Sequence, residues 1–227
     1  EDSQVLGAGG RYTDRPTITY VPKTGDDYLR SLLTPVEPRN LLALIHSGYN
    51  VELLFNWAVE AVNGVSNFSA NATRGKLSAD REFFEVSRLM RELQIEEIAA
   101  WQFKTDPETG DDVILVIRGD EATPELQAKR RRVGEILRLD PSLDRYRVVY
   151  APIHIGSGIL SLQTRSVAQM LGAMAGFVDV PPELSAEAVP GFVAEAGIEQ
   201  PFRVHSGEDR PDNTYAAIKY NGYWYWI

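Results

Sequence analysis

The sequence has no cysteine in 227 residues, which excludes disulfides, thiolate nucleophiles, iron–sulfur clusters and cysteine-ligated zinc together. Histidine is nearly as rare. The three histidines, His46, His154 and His205, are far apart and form no H-x-x-x-H or H-E-x-x-H unit. Four carboxylates do occur within the seven residues 106–112, but their spacing departs from the EF-hand pattern. We therefore expect no metal site and no cofactor.

Basic charge is also scarce. With 23 Lys and Arg against 32 Asp and Glu, the net charge of −9 disfavours attraction to phosphate backbones or anionic lipid. The only basic run, residues 129–132, lies in a predicted helix, whose geometry spreads consecutive side chains in nearly all directions. Nucleic acid is not an expected partner.

Long apolar runs are absent as well. No stretch approaches the roughly 20 residues that span a bilayer, and the polar, glycine-rich start does not resemble a signal peptide. The chain begins without Met and stops inside a predicted strand, so we expect a processed or trimmed product.

Local catalytic motifs are missing too. Gly156-Ser157-Gly158 falls one residue short of the G-x-S-x-G nucleophile elbow, and there is no P-loop or G-x-G-x-x-G. Catalytic side chains can nevertheless converge from distant positions. One alternative therefore stays open, a small hydrolase whose pocket gathers His154, Ser157, Arg165 and His205.

What the chain has is a dense aromatic segment at its end, residues 213–227. Asn221-Gly222 stands between two β-prone runs and predicts a two-residue type I′ turn, because Asn and Gly best tolerate the positive φ that both turn positions need. The turn sets the register of a β-hairpin in which Tyr220 faces Tyr223 and Lys219 faces Trp224. Both faces of this hairpin are then rich in apolar side chains.

Two interpretations of the hairpin remain open. In the first, a predicted helix at 165–177 covers one face and an N-terminal helical cluster covers the other, as in sheets buried on both sides. In the second, an uncovered face is a platform for a protein partner, since Trp and Tyr anchor interfaces. The predicted partner-binding residues are Lys219, Tyr223, Trp224, Tyr225 and Trp226, with Asn67 and Asn71 from a long polar loop at 63–76.

The remaining patterns predict an α+β fold, with an N-terminal antiparallel helical cluster packed against a mainly antiparallel sheet that ends in the hairpin. We divide the chain into a flexible leader at 1–16, a helical region at 17–95 and an α+β region at 96–227. A short strand at 17–21 and a mostly buried helix at 51–62 belong to the second part. Arg165, near a predicted helix N-terminus, is a candidate anion-binding residue, although a structural salt bridge is the alternative.

Several segments resemble an uncharacterised family of bacterial lipoproteins. They are Leu-Gln-Thr-Arg-Ser at 162–166, Phe-Val-Asp-Val-Pro at 177–181, residues 217–227, and the early Leu-Leu-x-Pro and Leu-Leu-x-Leu-Ile-x-x-Gly stretches. The resemblance implies a cell-envelope location, in the periplasm or attached to the outer membrane, with a lipid anchor ahead of Glu1. It supplies no catalytic residue. We therefore expect a non-enzymatic scaffold or accessory subunit that contacts a protein partner or further copies of itself.

Overall fold

The computed structural model describes residues 25–67, 79–106, 110–119, 122–187 and 202–227. The predicted leader at 1–16, the strand at 17–21 and most of the loop at 63–76 lie outside these ranges. Within them, no helix combines the length and the apolar character that crossing a membrane requires.

The predicted α+β class is confirmed. The described helices, α1 to α6, are Asp26–Leu33, Pro38–His46, Val51–Ala58, Arg81–Ile95, Pro124–Leu137 and Val167–Ala175. The described strands, β1 to β9, are Val59–Val62, Val65–Ser66, Ala99–Asp106, Gly110–Ile117, Arg145–Tyr150, Ile159–Thr164, His205–Gly207, Ala217–Tyr220 and Tyr223–Trp226. Several helix starts follow from capping chemistry, since Asn50 accepts from Glu52 N and Leu53 N, and Thr123 accepts from Leu126 N.

Six strands form the main sheet in the order β2-β1-β6-β5-β4-β3, antiparallel except for the β5/β6 pair. The parallel pair is joined by only the eight residues 151–158, fewer than the dozen that such crossovers usually need. The register explains this. Because Ile159 lies opposite Arg147, the chain has to return by only three residues, about 10 Å, before β6 begins.

Helices α2, α3 and α4 contact strands of the main sheet, and their buried side chains form one core with those of the sheet and of α5. Strand β5 shows the alternation, because Tyr146 and Val148 are buried while Arg145 and Arg147 are exposed. The polar face is held by side-chain contacts such as the ion pair between Arg147 and Asp112, at 3.0 Å. A sheet with one solvated face is typical of antiparallel architecture.

The helix predicted at 51–62 is wrong at its C-terminal end. Helix α3 stops at Ala58, and the next four residues form β1, which pairs with β6 and with β2. Asn63 and Gly64 both have positive φ, 48° and 82°, and make the two-residue turn between β1 and β2. The N-terminal part is therefore not purely a helical cluster, since it contributes two strands to the main sheet.

The C-terminal hairpin does not join the main sheet. It forms a second sheet with β7, in the order β7-β9-β8. The interpretation in which helices cover both of its faces is wrong, because Ile218 and Tyr220 are 65% and 62% exposed.

An aromatic cluster of Trp57, Phe177 and Phe202 links the C-terminal segment to the main body. The Phe202 ring lies 5.1 Å from that of Trp57 and 5.5 Å from that of Phe177, measured between centroids. Backbone hydrogen bonds support the link, since Val204 N donates to Phe177 O and Asp179 N donates to Val204 O. The cluster holds the chain where it enters the second sheet.

Replacing Phe202 with Ala is expected to loosen that sheet alone. Loss of the half-buried ring removes about 1.5 kcal/mol of apolar burial, roughly a tenfold change in a local opening equilibrium. Hydrogen exchange should then show about tenfold lower protection in β7 to β9, with amides of β4 and β5 unchanged. Equal loss of protection in both sheets would contradict a separable attachment.

Candidate functional site

The C-terminal hairpin has the register that the Asn221-Gly222 turn predicts. Tyr220 pairs with Tyr223, Lys219 with Trp224, Ile218 with Tyr225 and Ala217 with Trp226. The turn residues have φ of 46° and 89°, as the type I′ geometry requires.

The most exposed part of the hairpin is strand β8 and its surroundings. Four large apolar side chains there are more than half exposed: Tyr215 (96%), Ile218 (65%), Tyr220 (62%) and Ile227 (54%). Tyr223 and Tyr225 lie opposite Tyr220 and Ile218 on the same face and are half-buried. We call Ile218, Tyr220, Tyr223 and Tyr225 the tyrosine face.

The opposite face carries the tryptophans, and the protein's own side chains partly cover it. Trp226 stacks against His205 with ring centroids 5.7 Å apart and lies over Gly207, where an added Cβ would come within 3.3 Å of the indole. Trp224 has Arg210 and Lys219 near its ring, at 5.5 and 6.0 Å. The tryptophans therefore help to hold the small sheet together.

The tyrosine face is anchored to a neighbouring segment through Tyr223. Its hydroxyl donates to Glu183, 3.0 Å away, in the short 3-10 helix Pro182–Glu187. This hydrogen bond to a carboxylate raises the pKa of Tyr223, with a smaller contribution from burial. Tyr223 stays neutral and acts as a donor at physiological pH.

Arg165 is buried in an ion pair within the fold, which corrects its assignment as an anion site. The side chain is 1% exposed, and its Nε lies 2.6 Å from Glu60 Oε2 on β1. Burial lowers the pKa of Arg165, while the neighbouring Glu60 carboxylate opposes that shift. The alternative of a structural salt bridge is the correct one.

Asn67 is not a contact residue on a surface loop, because it is 1% exposed. Its side-chain amide donates to the carbonyl oxygens of Asn56 and Val59, at 2.9 and 2.8 Å. It therefore satisfies carbonyls at the end of α3, where the chain changes from helix to strand. Asn71, the other predicted loop contact, lies outside the described residues.

The four residues of the hydrolase alternative are not brought together. Ser157 precedes β6 and Arg165 follows it, so roughly 20 Å of strand separates them. His154 lies in the loop between β5 and β6, whereas His205 is in the second sheet, 3.4 Å from Asp179. No cluster of potential metal ligands occurs within the described part of the chain.

Most of the basic run at 129–132 is neutralised within the fold. Lys129 pairs with Glu92 and Glu125, Arg130 with Asp144, and Arg132 with Glu85. The Arg132 hydrogen bond lowers the pKa of Glu85. Arg131 differs from these three because it has no carboxylate partner among the residues that the structure describes. The spacing of the basic run does not predict this difference.

Comparisons with known proteins leave the family open. No protein-family model matches the chain, and searches of curated proteins and of solved structures find no significant match.

Proposed function

We propose that the protein is a non-enzymatic component of the cell envelope, a scaffold or accessory subunit that works through protein–protein contacts. The observation that carries the proposal is the tyrosine face, with Ile218 and Tyr220 each more than 60% exposed. Exposed apolar side chains that cluster in this way usually mark an interaction site. The envelope location rests on the lipoprotein resemblance alone.

The backbone of β8 supports the same proposal. In the order β7-β9-β8, β8 is an edge strand, and its outer side pairs with no other described strand. Natural proteins usually protect such edges with charge or proline, because unpaired N–H and C=O groups recruit another strand. Here the only charged residue of the strand is Lys219, so a single charge protects the edge, which can still accept a partner that adds a strand.

The contact centres on Ile218 and Tyr220 rather than on the tryptophans. Substituting Trp226 would also remove its packing on His205 and Gly207, so loss of a complex could reflect loss of the sheet. Ile218 and Tyr220 are mostly exposed, so their side chains contribute little to packing within the sheet. Their substitution separates binding from folding.

A photo-crosslinking amino acid at Tyr220 is expected to capture a protein partner in the native host. Tyr49, 56% exposed on the main body, is the matched control site. We expect an adduct at position 220 that disappears when Ile218 is also changed to Ser, and no such adduct at position 49. An adduct of twice the chain's mass would identify a second copy as the partner.

Two outcomes would contradict the proposal. One is the same set of adducts at positions 220 and 49, which would indicate non-specific collision. The other concerns the Ile218→Ser variant. If this variant has the same melting temperature and gives the same yield of adduct at position 220, Ile218 is not part of the contact.

A further inference from the structure

A cavity of about 930 Å³ opens beside the C-terminal half of α5, and none of its lining residues belongs to the second sheet. Its other walls come from Gly119, after β4, and from the segment Leu139-Asp140-Pro141. This volume lies within the range of small-molecule sites, which is roughly 300–1,000 Å³. The proposed protein–protein contact does not use the cavity.

Arginines dominate the charge of this cavity. Arg130, Arg131 and Arg138 line it, against Glu135 and Asp140. The lining therefore carries a net charge of 3 − 2 = +1 in a chain whose net charge is −9.

The charged groups of the lining differ in how far they are already paired. Arg130 pairs with Asp144 at 2.8 Å, and Glu135 faces Arg132 at 3.8 Å. The carboxylate of Asp140 accepts from the backbone N–H and hydroxyl of Ser142. The guanidinium groups of Arg131 and Arg138 form no ion pair or hydrogen bond with any residue in the described ranges.

Gly134 lines the cavity together with these two arginines. On α5, Arg131 and Gly134 are three residues apart and so share one helical face, and Arg138 is the C-cap residue that directly follows the helix. A Cβ at Gly134 would find no atom closer than the Leu139 carbonyl oxygen at 4.0 Å. Gly134 therefore leaves open space in the cavity that the two arginines also line.

The backbone at Arg138 supports a functional reading of the site. Arg138 ends α5 in the left-handed region, with φ 53° and ψ 42°, where glycine is the favoured residue. An L-residue with a Cβ is disfavoured there. Strain of this kind is often retained where a side chain has a task.

We propose that this cavity binds a small organic molecule through an oxyanion group, a phosphate or a carboxylate, held by Arg131 and Arg138. Guanidinium groups bind both oxyanions through paired, charge-assisted hydrogen bonds. The cavity is larger than a bare anion requires, so the ligand has a body that packs on the apolar part of the lining, such as Ile117 and Leu139.

The test uses pyrophosphate and citrate as probes of the two oxyanion types, titrated against the full chain and followed by amide NMR shifts. We expect saturable shifts at Gly134 and Arg138 with at least one probe. Arg138→Gly should weaken that binding at least tenfold, since each charge-assisted hydrogen bond contributes that much. The same variant should not lower the melting temperature, because glycine relieves the left-handed strain, so unfolding cannot explain the loss.

Arg88→Gln is the matched control, since Arg88 is an exposed arginine on α4 outside the cavity and its substitution changes the net charge equally. Arg88→Gln should change the dissociation constant of the probe by no more than about twofold, because salt screens the effect of a distant charge. Two results would overturn the proposal: no saturable shift with either probe at about 20 mM, or equal weakening by Arg88→Gln and Arg138→Gly.

Discussion

Replacing Glu60 with Ala is expected to lower the free energy of unfolding by about 3–5 kcal/mol, the usual cost of leaving one member of a buried ion pair without its partner. The Arg165 guanidinium is almost fully buried, and Glu60 is one of its partners, at 2.6 Å, beside the carbonyl oxygens of Asn56 and Trp57. Urea unfolding followed by circular dichroism measures the loss. The effect is large because Arg165 stays charged at any accessible pH.

Two further variants test the cause of that loss. Asp112→Ala breaks the ion pair with the 59% exposed Arg147 and should cost less than about 1 kcal/mol. The double variant Glu60→Leu with Arg165→Met replaces both charges by apolar groups and should recover most of the stability. If Glu60→Ala costs no more than Asp112→Ala, the pair is not a buried charge interaction.

Replacing Asn63 with Ala is expected to cost about 2–4 kcal/mol, because it removes hydrogen bonds to buried backbone groups and also strains the turn. The Asn63 side chain donates to the carbonyl of Leu137 at 2.6 Å and accepts from the N–H of Ser161 at 2.6 Å. Asn63 itself is 4% exposed at a φ of 48°. Its side chain thus joins the β1–β2 turn, the end of α5 and strand β6.

The second Asn–Gly turn provides the control. Asn221 has nearly the same backbone conformation, with φ 46°, but its side chain is exposed. Asn221→Ala should therefore show only the backbone strain, about 1 kcal/mol, while Asn63→Gly should show only the lost hydrogen bonds. Thermal and urea unfolding of the three variants separate the cost of backbone strain from the cost of the lost hydrogen bonds. Equal losses at the two alanine variants would mean that the buried hydrogen bonds of Asn63 contribute nothing.

The comparison of these two turns shows what the sequence can predict. The register of the C-terminal hairpin follows from Asn221-Gly222, because both flanking runs are β-prone. The same dipeptide at Asn63-Gly64 does not by itself predict a hairpin turn, because the apolar spacing of the residues before it continues that of α3. What ends α3 at Ala58 is the pairing of β1 with β6, a contact between distant parts of the chain.

The burial of Arg165 and Asn67 is likewise not predictable from the residues next to them in the sequence. Both are polar residues next to turn or cap signals, which usually places them at the surface. Their burial depends on partners elsewhere in the fold, Glu60 for Arg165 and the carbonyls at the end of α3 for Asn67. The sequence allows a salt bridge as an alternative use of Arg165, but local spacing does not indicate which carboxylate is the partner.

Whether the hairpin is covered also depends on the fold rather than on its own residues. An alternating apolar pattern on two faces fits a central strand and an exposed interface equally well. In the structure the hairpin belongs to a separate three-stranded sheet with β8 at its edge, so it is not a central part of the main sheet. The coarse α+β class was predictable because the strand and helix periods are strong in residues 99–164.

The order of the main sheet has a consequence for how the chain assembles. From β3 to β6, each strand pairs with the next one along the chain, and the longest connection that these pairings close is the segment 118–144, which contains α5. Strand β1 instead pairs with a strand roughly 100 residues away, and the entropic cost of closure is larger, by about 0.6 kcal/mol for each doubling of loop length. Since nascent structure favours local contacts, we expect β3 to β6 to form the folding nucleus and β1 to dock onto β6 late, bringing Glu60 to Arg165 in the last step.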